Sequence, residues 1–371
     1  MSAYFDNHSA TKPCSSALER MQPYLETEWG ASFAPHQKGS EQALALDGRV
    51  QALYDFVGAK EEDRFYFASS GADAIRQLLD FLYLEVSRKE GKTRYIASCL
   101  EDAPLLHGLK KLEEMGCYAD IIPAGADGCV DLKRLEAAID PRTALVSISQ
   151  AQGLTGVIQP IEEIARICRE KDVLFHVDAT YCAGKLPLEM AGDYLTFAGD
   201  RMHGLKSSGA LFAKAPAPFA LPALGGSCDV PSLTALSAAA QQAMLSMDTL
   251  GLETARLKSR LEEGVLQAVS GAKVLFANSL RLPNVSLITF ENVHQEALLY
   301  YLHRKKVFAS IGGVYHQHLQ RLLLASGCTE KEAFGAISFA LSRQTTEEEV
   351  DYCLDALAQS VRFLQSLSRG I

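Results

Sequence analysis

Leu174-Phe175-His176-Val177-Asp178-Ala179-Thr180 and, after a short spacer, Leu195-Thr196-Phe197-Ala198-Gly199-Asp200-Arg201-Met202-His203-Gly204-Leu205-Lys206-Ser207-Ser208-Gly209 decide how the chain reads. The first stretch is a run of β-formers that ends on a carboxylate. The second is a similar run ending on Gly199-Asp200-Arg201. Outward from them, short apolar runs at 95–98, 118–123 and 144–150 alternate with amphipathic segments at 72–87, 105–116, 131–139 and 160–171. That alternation predicts an α/β fold with a mostly parallel sheet covered by helices on both faces. Residues 215–226 are rich in Pro, Gly and Ala and read as loop. From about 252 a long helix, then runs at 273–276, 286–290 and 295–305, predict a smaller α+β domain. In the last segment Thr346 with Glu349 forms a capping box. Val350, Leu354, Leu357, Val361 and Leu364 then recur at helical spacing.

The chain has 371 residues, room for one large and one small domain. Its 48% hydrophobic and 22% charged content is that of an ordinary globular protein. A net charge of −9 argues against nucleic acid and anionic membranes as partners. No apolar run approaches the roughly 20 residues that span a bilayer, and Met1-Ser2-Ala3-Tyr4-Phe5-Asp6 shows no signal-peptide pattern. Nine cysteines without a C-x-x-C pair fit a reducing, cytoplasmic setting and core packing better than disulfides or zinc.

The order of short motifs resembles the cysteine desulfurases, the aminotransferase class V branch of the fold-type-I enzymes that use pyridoxal phosphate (PLP). Phe5-Asp6-Asn7-His8-Ser9-Ala10-Thr11-Lys12-Pro13 resembles the family opening L-D-x-x-A-T-T-P, and Ser70-Gly71-Ala72-Asp73 resembles the phosphate-binding S-G-A-T. Gly156-Val157-Ile158-Gln159-Pro160-Ile161 resembles G-x-x-Q-P/D-I, and the stretch from Ile337 to Asp351 resembles I-R-F-S-L-G-R-x-T-T-E-E-E-I-D. The resemblance implies a fold-type-I large domain at 13–249. It also implies a small domain made of 1–12 and 250–371, a homodimer, and a link to iron–sulfur assembly or to an active desulfurase as partner.

A PLP site needs a primary amine for the covalent imine, a carboxylate at the pyridinium nitrogen, and a helix N-terminus for the phosphate. Asp178 meets the second requirement. Arg201 stands where the resemblance places the lysine, and a guanidinium forms no stable imine. Lys206 is the nearest alternative amine, but five residues span about 17 Å of extended chain. Asp73 replaces the hydroxyl donor at the phosphate helix and is expected to be its N-cap, opposing a dianion. Asp102 stands at the ring-stacking histidine, Gly153 at the asparagine near the ring oxygen, and Tyr181 at the glutamine. Val314 falls at the nucleophilic cysteine and Ser338 at the substrate-binding arginine, while Cys228 matches no family nucleophile.

Ser70, Gly71, Ala72, Asp73, Asp102, Gly153, Asp178, Tyr181, Asp200 and Arg201 are thus the family's cofactor positions. PLP is implied, without a covalent bond at 201. The expectation is a desulfurase-like paralogue that acts through binding, with Arg201 paired to Asp178, Asp200 and Asp102. The alternatives are an active enzyme using Lys206 or non-covalent PLP, and a small-anion-binding protein using Arg201.

Overall fold

The computed structural model describes residues 1–219, 228–313 and 316–368. After a short strand β1 (Ala3–Tyr4), the main sheet is built from β2 (Arg64–Ala68), β3 (Arg94–Ser98), β4 (Tyr118–Ile122) and β5 (Thr143–Ser149). It continues with β6 (Leu174–Asp178), β7 (Tyr194–Ala198) and β8 (Gly209–Ala213). The strand order is β2-β8-β7-β6-β5-β3-β4. From β4 to β7 every pairing is parallel, and β8 runs antiparallel to both β7 and β2. All seven residues of β5 are buried, as a central parallel strand covered on both faces requires. The predicted mostly parallel sheet between helices is therefore the observed architecture.

The carboxyl ends of the parallel strands set the positions that matter. Register pairs Ser149 with Asp178 and Asp178 with Thr196, so the ends of β5, β6 and β7 meet at one edge. The helix Gly71–Leu82 is aimed at the same edge. Its buried Ala74, Ile75, Leu78, Leu79 and Leu82 pack it on the sheet. Two glycines permit this close approach: a Cβ on Gly71 would lie 2.7 Å from Ala198 Cβ, and one on Gly209 only 2.3 Å from the Ser70 carbonyl carbon.

The sequence reading missed helices Ser15–Glu26 and Gln37–Val57, and it placed the long helix too late. That helix runs from Val230 to Ala268, started by the Asp229 cap and a proline in its first turn. Its first half hides Leu233, Ala235, Leu236, Ala238, Ala239, Ala240 and Ala243, so it is buried on more than one side and shows no amphipathic period. Both missed helices pack on it, as does the final helix Glu347–Ser368. The predicted capping box is present: Thr346 N–H donates to Glu349 at 3.0 Å and Glu349 N–H to Thr346 Oγ1 at 3.2 Å.

The C-terminal part adds β9 (Ala272–Val274), β10 (Val285–Phe290), β11 (Val307–Phe308) and β12 (Ala336–Ala340). Strands β12-β10-β9 form an antiparallel sheet, and β1 pairs in parallel with β11. The first residues are thereby stitched to the last third of the chain, Phe5 N–H donating to Phe308 O at 2.7 Å and Ala340 N–H to Phe5 O at 2.7 Å. Phe5, Leu257, Leu261, Ile288, Phe339 and Leu357 share one core there. Among the described residues no helix is long and apolar enough to cross a membrane.

Candidate functional site

A cleft of about 410 Å³ opens at the shared strand edge, with Ser70, Asp102, Asp178, Tyr181, Arg201 and Lys206 among its walls. Gly71 and Ala72 also line it. Their amides belong to the first turn of a helix, where N–H groups have no intrahelical acceptor. The helix end is capped by Ser70, whose Oγ accepts from Asp73 N–H at 3.0 Å. The expectation that Asp73 is the N-cap is therefore corrected: the cap is Ser70, three residues earlier. Asp73 sits three residues in, accepts from Ser69 N–H and Oγ at 3.1 Å each, and pairs with Arg76 at 2.5 Å. Burial alone would raise its pKa, but these bonds hold it below the ordinary value. Its charge is neutralised by Arg76 and does not line the cleft.

Arg201 follows β7 in a short turn and enters the cleft with its side chain 11% exposed. Its Nη1 lies 2.5 Å from Asp200 Oδ2, while Nε is buried without a partner. Burial pulls the guanidinium pKa down, and Tyr181, Asp200 and Asp102 more than restore it. At Asp200 burial outweighs the pairing and leaves the carboxyl above its ordinary value. A guanidinium does not deprotonate, so at neutral pH the contact is still an ion pair. Of the three acids expected to pair with Arg201, only its chain neighbour forms an ion pair.

Asp178 and Asp102 are engaged elsewhere, which corrects that expectation. Asp178 Oδ1 accepts from Thr180 N–H at 3.0 Å and Thr180 Oγ1 at 2.6 Å. Burial pushes its pKa to about 6, against the lowering effect of those bonds. Asp102 Oδ2 accepts from the Tyr181 hydroxyl and lies 3.3 Å from His316 Nδ1, while its Oδ1 is buried without a partner. The Tyr181 hydroxyl is 2.9 Å from the same imidazole nitrogen, and His316 Nε2 is 3.3 Å from Ser9 Oγ. Burial, then Asp102, raises the Tyr181 pKa, so the phenol keeps its proton.

Tyr181 and Gly153 are close neighbours in space. A Cβ on Gly153 would fall 2.4 Å from the Tyr181 ring. With the ring in this place, no side chain larger than a hydrogen fits at position 153. The other positions lie further off. Ser338 is fully buried in β12 and donates to Leu154 O at 2.6 Å. Lys206 is exposed at the cleft wall, Cys228 is exposed just before the long helix, and Val314 lies outside the described residues.

Sequence reasoning missed His316, Ser9 and Gln317. Gln317 Nε2 donates at 2.6 Å to the carbonyls of both Cys99 and Glu101. The only signal was a polar His-Gln pair after Gly312-Gly313, two glycines with positive φ that turn the loop back. No group of three or more His, Cys, Asp or Glu suited to a metal occurs among the described residues.

Residues 3–249 match the aminotransferase class-V family, and the chain belongs to it. Cysteine desulfurases are its curated relatives. The chain is 32% identical to one from Cereibacter sphaeroides, over 98% of this chain and 97% of that one. It is 30% identical to another from a Nostoc species, over 98% and 94%. A solved NifS-like protein superposes with a TM-score of 0.90 at 26% identity, over 98% of this chain and all of that one.

PLP is the cofactor this family implies, and the donor set can be tested against it. The helix amides and Asp178 suit its phosphate and ring nitrogen. The positions that the resemblance assigns to the lysine, the stacking histidine and the asparagine hold other groups, and the amine on the same wall is Lys206. Position 201 offers an ion-paired guanidinium, Asp102 offers no ring face for stacking, and the Tyr181 ring fills the space beside Gly153.

Proposed function

We propose that this desulfurase-like chain has lost desulfurase chemistry and acts by binding, within sulfur or iron–sulfur metabolism. The observation that carries the reading is the Arg201–Asp200 ion pair in the cleft, at the position where the family's chemistry needs a neutral amine. The replacements are also mutually fitted: Tyr181 with Gly153, and Asp102 with Tyr181 and His316. Fitted replacement supports a cleft kept for a non-covalent occupant. Lys206 on the same wall supports the competing reading, an enzyme with a relocated lysine. Titrating the purified protein with PLP and recording its visible spectrum separates the two. The expected spectrum is that of free PLP plus protein, and an imine band would reject the proposal.

The binding form is a homodimer. Leu18, Leu25, Trp29, Phe33 and Leu44 lie exposed on or between helices Ser15–Glu26 and Gln37–Val57, and Leu245 is 90% exposed on the long helix that both contact. Large apolar side chains gathered on adjoining elements mark an interaction face. Light scattering at micromolar concentration should give twice the chain mass, and a monomer would refute the dimer.

A further inference from the structure

A second cavity lies behind Arg201, between the turn after β7, the long helix and the 341–343 segment. Its open volume is about 40 Å³, and Lys185, Arg201, His203, Asn284, Ser342 and Arg343 are among its walls. A water needs roughly 10–15 Å³ on this measure, so the space takes about three waters or one anion of four to five heavy atoms.

Three cationic residues line this cavity, and no acidic residue lines it among the described residues. Lys185 Nζ donates to the carbonyls of Arg201 at 2.8 Å and Ala183 at 3.4 Å, which leaves one of its three N–H donors. Arg343 Nη2 and Arg201 Nε are buried with no hydrogen-bond partner. Asp200 is the nearby acid, and it is taken by Arg201 Nη1. Burial lowers the Lys185 pKa to about 8 against the raising effect of Cys182 and Asp200, and it lowers that of half-buried Arg343 against Cys14. Asn284 Oδ1 is also buried and unpartnered, while Asn284 Nδ2 donates to Leu341 O at 3.0 Å. The unfilled set is therefore several donors and one acceptor. It matches an oxyanion that also carries a hydroxyl proton, such as hydrogen phosphate.

We infer that this cavity is a binding site for a small oxyanion, held by Lys185, Arg343 and Arg201 Nε and separate from the main cleft. An anion that fills these open donors and binds only the folded state raises stability by mass action. Arg201 thus stands as the wall between two sites, its Nη1 on Asp200 and its Nε toward the ion.

The test is thermal unfolding of the full chain in inorganic phosphate against chloride at matched ionic strength. Phosphate should raise the wild-type midpoint by several degrees and saturate. Arg343→Gln and, independently, Lys185→Gln should each remove at least half of that shift, so the failure of one variant to fold leaves the other decisive. Lys206→Met, which alters only the main cleft, should keep the full shift. Equal midpoints in phosphate and chloride would overturn the site. So would a phosphate shift that survives both Gln substitutions, or one that disappears in Lys206→Met and so belongs to the main cleft.

Discussion

Supplied with L-cysteine and PLP, the protein is expected to release sulfide no faster than PLP alone in buffer, and Arg201→Lys is expected to change this by less than about tenfold. The substitution restores an amine, yet a lysine beside Asp200 and near Asp102 stays protonated and is a poor nucleophile. Ser338 is locked into the β12 core by its bond to Leu154, so no substrate-carboxylate clamp stands there. Groups that act as a unit lose almost everything when one is missing, and restoring one restores little. Turnover of Arg201→Lys some hundredfold above the PLP blank, in a sulfide assay with single-turnover controls, would contradict this account.

The second large effect is on stability. Glu101 is buried beneath the cleft, accepting from Ser98 Oγ and Ser149 Oγ at 2.6 Å and from Ser149 N–H at 3.0 Å. Burial raises its pKa from 4.5 to about 7, partly offset by those serines and reinforced by Asp178. The folded state therefore holds this proton more tightly than the unfolded chain. The associated stability is complete below pH 4.5 and is lost as pH rises to about 7. A shift of that size corresponds to about 3 kcal/mol. Asp178 acts with the same sign at lower pH, whereas buried His176, lowered to about 3, costs stability as pH falls below 6.5. The wild-type profile is thus a sum of opposed slopes, and Glu101→Gln isolates one of them. Urea unfolding at pH 5 and pH 8 should show the variant losing about 2–3 kcal/mol less than wild type over that interval. Parallel profiles would show that Glu101 is ionised in the folded protein across the whole range.

The main sheet was legible because each parallel strand is a short run buried on both faces and bounded by polar turns, as β5 and β6 illustrate. The long helix was legible only in its second half, since an alanine-rich segment buried on several sides carries no period for a pattern to reveal. The site positions were found by motif order, but motif order says nothing about partners. Asp73 was given the cap because the sequence shows a carboxylate near a helix start. The structure gives that role to Ser70 and sets Asp73 against Arg76. Likewise Asp178 and Asp102 were assigned to Arg201 because the family resemblance brings these positions close. Thr180, two residues away, and Tyr181 with His316 compete for them at shorter range. His316 is 135 residues from Tyr181, a separation across which no local pattern operates.

The central claim is that the cleft forms no covalent bond to PLP because its cation at 201 is an ion-paired guanidinium. Borohydride reduction of the wild-type protein incubated with PLP, followed by intact-mass and peptide mass spectrometry, tests it most directly. The predicted result is an unmodified chain, with no site-specific adduct at stoichiometric PLP. One reduced pyridoxyl phosphate per chain, located on Lys206, would contradict the claim and make this protein a PLP enzyme with a relocated lysine.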